Sequence, residues 1–261
     1  MTESLLEVRR VRHELRRRRV QVSRVTRLSP HIVSITFTGP ELAGFVSASF
    51  DDHIKLMLPP PGTSELVLPE LGPDGPSFPE GAPRPVMRDY TPRRFDAAAL
   101  ELDIEFAVHG DGPAATWAAQ AQPGQVVGIG GPRGSFLIPD AFDWHLLVGD
   151  DTALPAIARR LEELPAGKPV TVVLGVAPED RRELPTRAEV TLHWTDPSGL
   201  VEAVRALRIP AGDGYSWAAG EAKAMVAVRQ VLVDELGVDR HRVRAAAYWK
   251  DGAPGHHENL G

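Results

Sequence analysis

Arg88-Asp89-Tyr90-Thr91 carries the densest group of chemically useful side chains in the chain. In an extended segment, Arg88 and Tyr90 share one face and Thr91 points to the other. An arginine fork can grip a diphosphate bidentately. A neighbouring tyrosine ring can lie on a flat heteroaromatic ligand, and a threonine hydroxyl can donate to a ring nitrogen. Pro92 closes the strand. The same residues also read as an edge strand with a surface arginine and a core tyrosine. Val108-His109-Gly110-Asp111-Gly112-Pro113-Ala114-Ala115-Thr116-Trp117 follows. Proline at the first helical position leaves free amides behind it, and these with the Thr116 hydroxyl make an anion site. Its plainer reading is a proline-started helix with Trp117 in the core. Together the two runs form a two-sided diphosphate cradle. Gly130-Gly131-Pro132-Arg133-Gly134-Ser135-Phe136 is a constrained turn that presents one cation, or a connection with a solvated arginine.

Three further runs sit at strand ends. Val148-Gly149-Asp150-Asp151-Thr152-Ala153-Leu154-Pro155 is a strand–turn–helix without the Gly-x-Gly-x-x-Gly fingerprint. Its two acids do not suit a phosphate loop, and they could cap the helix at Thr152. Trp217-Ala218-Ala219-Gly220-Glu221 is a second strand end entering a helix. Tyr248-Trp249-Lys250-Asp251-Gly252 pairs aromatics with a lysine, suited to covering a planar ligand and facing an anion, or to anchoring the C-terminus. His256-His257-Glu258 has metal-ligand residue types but reads as a solvated tail, and no metal site is expected.

The elements that must hold these residues change character near residue 143. Before it, runs at 21–26, 32–38 and 53–58 are strand-like, and 59–85 is a loop dense in proline and glycine. Residues 100–108 alternate cleanly, with Leu102, Ile104 and Phe106 on one face and Glu101, Asp103 and Glu105 on the other. A short helix is expected over 114–122. This pattern predicts an antiparallel β-barrel. After residue 143, strands at 144–148, 169–176, 189–194, 215–219 and 242–249 alternate with helices at 153–164, 200–207 and 222–236. That alternation predicts a mainly parallel sheet with ligands at the carboxyl ends of its strands.

Composition narrows the chemistry. The chain of 261 residues has no cysteine, which excludes disulfides, thiolate zinc sites, cysteine-ligated iron–sulfur clusters and cysteine nucleophiles. Any redox chemistry must come from a non-covalent cofactor. The net charge is −6, yet nine arginines against three acids crowd residues 1–27. The Arg-rich segment 9–19 lacks interleaved aromatics and the chain is acidic overall, so it reads as a solvated helix or a lead-in to the barrel, not a nucleic-acid site. Lysines number only four. Residues 1–20 carry no continuous apolar stretch and no run is long enough to span a membrane, so a soluble cytoplasmic protein is expected.

Taken in order, Asp52-His53-Ile54-Lys55-Leu56 and the six runs from Arg88 to Gly252 resemble the siderophore-interacting protein family, the FAD-dependent ferric-siderophore reductases of the ferredoxin–NADP reductase superfamily. The resemblance implies a six-stranded antiparallel FAD-binding barrel over 1–143 and an α/β NAD(P)-binding domain over 144–261. It implies reduction of siderophore-bound Fe(III) by NADPH or NADH through FAD. Arg88 would bind the FAD diphosphate, Tyr90 would stack on the isoalloxazine and Thr91 would bond near its reactive edge. Ala114, Ala115 and Thr116 would complete the phosphate site, and His109 matches a position facing the FAD. Asp150, Asp151 and Thr152 match a loop facing the nicotinamide, with Gly220 and Glu221 in the other loop on that side and Trp249 as an aromatic cover. Lys55, Arg133 and Lys250 match a basic triad that attracts anionic ferric siderophores. Ala247 stands where the family usually has glycine. Arg181 and Arg182 would favour a 2′-phosphate, whereas Glu179 and Asp180 would favour NAD. The family implies a monomer. A binding protein with little nicotinamide turnover, or a reductase drawing on reduced ferredoxin, are the alternatives.

Overall fold

The computed structural model describes residues 5–72, 75–108, 112–253 and 258–260. They group into two compact units, one of Arg9–Leu137 and a second that carries Ile138–Gly261. The division falls after Leu137, a few residues before the change of pattern in the sequence. Arg160 explains it: its guanidinium donates to the Ile138 carbonyl and pairs with Asp140, while Lys168 holds the Phe142 carbonyl.

The first unit contains β1 (Arg9–Arg12), β2 (Arg17–Ser29), β3 (Ile32–Thr38), β4 (Ile54–Leu58), β5 (Glu70–Gly72), β6 (Gly75–Ser77), β7 (Val86–Tyr90), β8 (Arg94–Asp96), β9 (Glu101–Ala107), α1 (Pro113–Ala119), β10 (Val126–Gly130) and β11 (Gly134–Leu137). Seven strands form one antiparallel sheet in the order β7-β4-β10-β2-β3-β9-β8, while β1 pairs with β11 and β5 with β6. The antiparallel sheet matches the expectation. Its strand count is seven among the described residues, because the short β8 adds to the β9 edge. The alternation of residues 100–108 is realised in β9, where Leu102, Ile104 and Phe106 are fully buried. They share a core with Ile35, Phe37, Ile54, Leu56 and Ile129.

The arginine-rich segment 9–19 is a lead-in to the sheet and not a helix, with β1 at Arg9–Arg12 and β2 starting at Arg17. In β2, Arg18, Val20 and Val22 point inward while Arg17, Arg19 and Gln21 point out. Arg18 is buried, donates to the Gly131 carbonyl and covers the Phe45 ring at 5.3 Å. Arg17 and Arg19 donate to the carbonyls of Leu68, Pro69 and Leu66. These bonds tether the long loop that has no periodicity of its own. Gly128 makes room for it: a Cβ there would lie 2.3 Å from Leu68 Cδ2.

The second unit contains β12 (Trp144–Asp150), α2 (Leu154–Glu163), β13 (Pro169–Gly175), β14 (Glu189–Thr195), α3 (Leu200–Arg205), β15 (Gly214–Glu221), α4 (Ala222–Gln230), β16 (Val243–Trp249) and β17 (Glu258–Asn259). The sheet order is β14-β13-β12-β15-β16-β17, parallel except for β17. Strand order reverses between β12 and β15. In open parallel sheets this switch point is where ligands bind, at the carboxyl ends of the strands. Those ends are Asp150 and Glu221. No helix among the described residues is long and apolar enough to cross a membrane.

Candidate functional site

In the first unit, Arg88 and Tyr90 lie opposite Leu56 and Ile54 of β4. Both partners are fully buried, so the β7 face that carries Arg88 and Tyr90 is the inner one. The Tyr90 ring packs on Phe106 at 4.4 Å between centroids. Burial pushes its phenol well above the usual range, so it stays protonated. Among the described residues the guanidinium of Arg88 makes one hydrogen bond, to the adjacent Met87 carbonyl at 2.7 Å, which leaves the rest of its fork unengaged by them. Thr91 is buried just beyond the strand end.

Helix α1 packs against β3, β7 and β9, so it lies beside the strand holding Arg88 and Tyr90. Gly112 supplies no side-chain cap, and Pro113 has no N–H. The amides of Ala114 and Ala115 therefore have no partner within the helix, whose first such bond runs from Thr116 N to the Gly112 carbonyl. A Cβ at Gly112 would meet nothing within 4 Å. A guanidinium fork, two amides without a partner in the helix and a hydroxyl beside a half-buried aromatic form a donor set that fits a diphosphate attached to a planar ring. His109 lies outside the described residues.

At the switch point of the second unit, Asp150 is the organising residue. Its Oδ1 accepts from the Thr152 amide and hydroxyl. Its Oδ2 accepts from Glu221 N and Trp249 Nε1, both at 2.9 Å. One carboxylate thus ties together the ends of β12, β15 and β16. Burial and the neighbouring Asp151 raise its pKa, while the donors work in the opposite direction. Four protein donors fill its acceptor positions among the described residues. Asp150 is therefore a strut between these strand ends.

Glu221 caps α4 through Oε2, which accepts from Lys223 N and Ala224 N. Its Oε1 is buried and has no hydrogen-bond partner among the described residues. An orphaned acceptor at the switch point suits the N–H₂ of a carboxamide, so the site fits a nicotinamide. Trp249 is held by its ring N–H and remains 36% exposed, leaving indole surface open. Arg181 is already engaged, donating to the Val176 carbonyl and to Asp196.

The three expected substrate cations differ in their surroundings. Lys55 is ion-paired with Asp89 at 2.7 Å. It also lies opposite Gly130 of β10, three residues before Arg133. Arg133 is exposed, with its carbonyl fixed by His13 N. Lys250, also exposed, belongs to the second unit. The sequence reading missed Asp89. The signal was available: Asp89 alternates with Arg88 and Tyr90, and a strand-like run earlier in the chain carries a single lysine, Lys55.

Residues 21–136 match the siderophore-interacting FAD-binding domain, and residues 142–252 match the siderophore-interacting protein domain. The chain belongs to the siderophore-interacting protein family. It is 39% identical over 246 residues to the NADPH-dependent ferric-chelate reductase of Escherichia coli, covering 92% of this chain and 95% of that protein. It is 34% identical to the ferric vibriobactin reductase ViuB of Vibrio cholerae, with 86% of each covered. The crystal structure of a siderophore utilization protein from T. fusca superposes with a TM-score of 0.87 at 38% identity, covering 96% of this chain and 98% of that one. A ferredoxin reductase of carbazole 1,9a-dioxygenase shares the fold at 18% identity, with a TM-score of 0.61, 88% of this chain and 68% of that one covered.

Proposed function

We propose that this chain is a flavin-dependent ferric-siderophore reductase that takes electrons from NAD(P)H and passes them through FAD to siderophore-bound Fe(III). The observation that carries this is the pair of family matches in order along the chain, together with the 39% identity to an NADPH-dependent ferric-chelate reductase over 92% of its length. When bound, FAD accepts a hydride from a nicotinamide and delivers electrons one at a time. Two Fe(III) centres are then reduced per nicotinamide, and hard oxygen ligands hold the resulting Fe(II) far less tightly.

On this reading, Arg88 and the open amides of Ala114 and Ala115 hold the FAD diphosphate, with Thr116 adding a hydroxyl. Tyr90 lies against the flavin ring, and its raised pKa keeps it neutral there. Thr91 donates at the ring edge, and His109 completes the family pattern. The antiparallel sheet serves as the flavin-binding barrel. Glu221 Oε1 receives the nicotinamide carboxamide. Gly220 and Thr152 frame that pocket, Trp249 covers it, and Asp150 holds the frame in place. Lys55, Arg133 and Lys250 attract the anionic ferric chelate. The protein then works as a cytoplasmic monomer, where NADPH is maintained.

The test is anaerobic turnover of several ferric siderophores by the purified protein, with flavin bands recorded first. Flavin uptake followed by NADPH-driven Fe(II) release supports the proposal. A protein that takes up no FAD on reconstitution would sink it. Rapid mixing with NADPH, NADH and reduced ferredoxin identifies the donor.

A further inference from the structure

We propose that Asp89 sets the charge preference of the substrate site by holding Lys55 in an internal ion pair. The inference rests on the reading of Lys55 as a ferric-chelate contact and adds a residue that opposes it.

The geometry is local to one sheet. Lys55 and Asp89 are direct cross-strand partners of β4 and β7, with Nζ and Oδ2 2.7 Å apart. Strand alternation puts Asp89 on the face opposite Arg88 and Tyr90, the same face as Lys55. The Lys55 side chain is 48% exposed and that of Asp89 only 14%. Asp89 Oδ1 is buried without a hydrogen-bond partner among the described residues, so Lys55 is the counter-charge on which this carboxylate depends. On its other side Lys55 faces Gly130, which presents no side chain. That neighbour therefore offers Lys55 no second counter-charge.

An ion pair viewed from beyond its own length is a dipole, not a charge. A ferric tris-catecholate carries about three negative charges. For such a ligand, Lys55 as it stands offers far less attraction than an unpaired lysine. Arg133, in the same unit, has no ion-pair partner among the described residues, so it presents a full positive charge. Asp89 thus limits the advantage of highly anionic chelates, and removing its charge shifts preference toward them.

The experiment measures binding apart from turnover, with redox-inert Ga(III) in place of Fe(III). The probes are Ga(III) tris-catecholate, which is trianionic, and a neutral Ga(III) tris-hydroxamate. Titration of the flavin-loaded protein by tryptophan quenching gives both dissociation constants. Asp89→Asn is expected to tighten the trianionic chelate about three- to tenfold at low salt, with a steeper salt dependence, and to leave the neutral one within about twofold. Lys55→Met is expected to weaken the trianionic chelate. A merely structural role for Asp89 would weaken both probes or neither. Unchanged binding of the trianionic probe in Asp89→Asn, or an equal change for both probes, overturns the inference while leaving the reductase reading intact. Unchanged binding in Lys55→Met removes the substrate role of Lys55 and with it this inference. Flavin content, checked in each variant, reports on the reductase reading separately. Asp89→Ser serves as the second neutral variant if Asp89→Asn does not fold.

Discussion

Replacing Gly220 with alanine would drive a methyl group into the carboxylate that ties the nicotinamide-side loops together. An ideal Cβ on Gly220 lies 2.5 Å from Asp150 Oδ2 and 2.8 Å from its Cγ, and the backbone φ is +152°. Asp150 has little room to retreat, because Thr152, Glu221 and Trp249 all donate to it. Displacing it breaks the bonds from Glu221 N and Trp249 Nε1, and leaving such a donor unsatisfied costs about 1–3 kcal/mol. Trp249 is at the surface and regains water, so the net cost is on the order of 2–4 kcal/mol, including overpacking. Gly237 provides the control: its φ is +70°, yet a Cβ there meets nothing within 4 Å. Gly237→Ala should therefore cost only about 1 kcal/mol, the ordinary left-handed penalty. Urea unfolding of both variants measures the difference, and NADP⁺ titration should show weaker binding only in Gly220→Ala. Acrylamide quenching, with Trp249→Phe as reference, should show a looser indole. Equal stability losses within about 0.5 kcal/mol, with NADP⁺ binding unchanged, would refute the assignment of Asp150 as the strut.

His145 is buried and its pKa is lowered to about 3 by desolvation, with Arg160 and Lys168 acting in the same direction. It is neutral when folded and takes up a proton more readily when unfolded, so stability should fall as pH drops from about 6.5 toward about 3. By about pH 5 the loss is about 2 kcal/mol, and His145→Phe should remove it in urea titrations at the two pH values. Arg88→Ala should weaken FAD by roughly a hundredfold, read as free flavin after equilibrium dialysis, because a bidentate charged contact is lost. Arg181→Ala should raise KM for NADPH and NADH alike, since its guanidinium is spent on Val176 and Asp196; a loss confined to NADPH would show it touching a 2′-phosphate instead.

Much of the architecture is local in origin and was legible in the chain. The alternation of Leu102, Ile104 and Phe106 specified a half-buried strand, and that strand is central to the core. The strand–helix alternation after residue 143 specified a parallel sheet, because such strands can be joined only through crossovers. Absent cysteine excluded thiol-based redox chemistry at once. The order of the motifs along the chain marked the family. What only the tertiary structure decided were the partners of charged side chains. Arg17, Arg18 and Arg19 looked like a solvated run, yet one is buried and the others hold a distant loop by its carbonyls. Asp150 ties the ends of three strands together, and Lys55, which matched a basic triad, is half of an ion pair. A strand's face follows from neighbours two residues apart, and so it is written in local periodicity. A charge's effect depends on what lies within a few ångströms of it, and those neighbours come from strands far away in the chain.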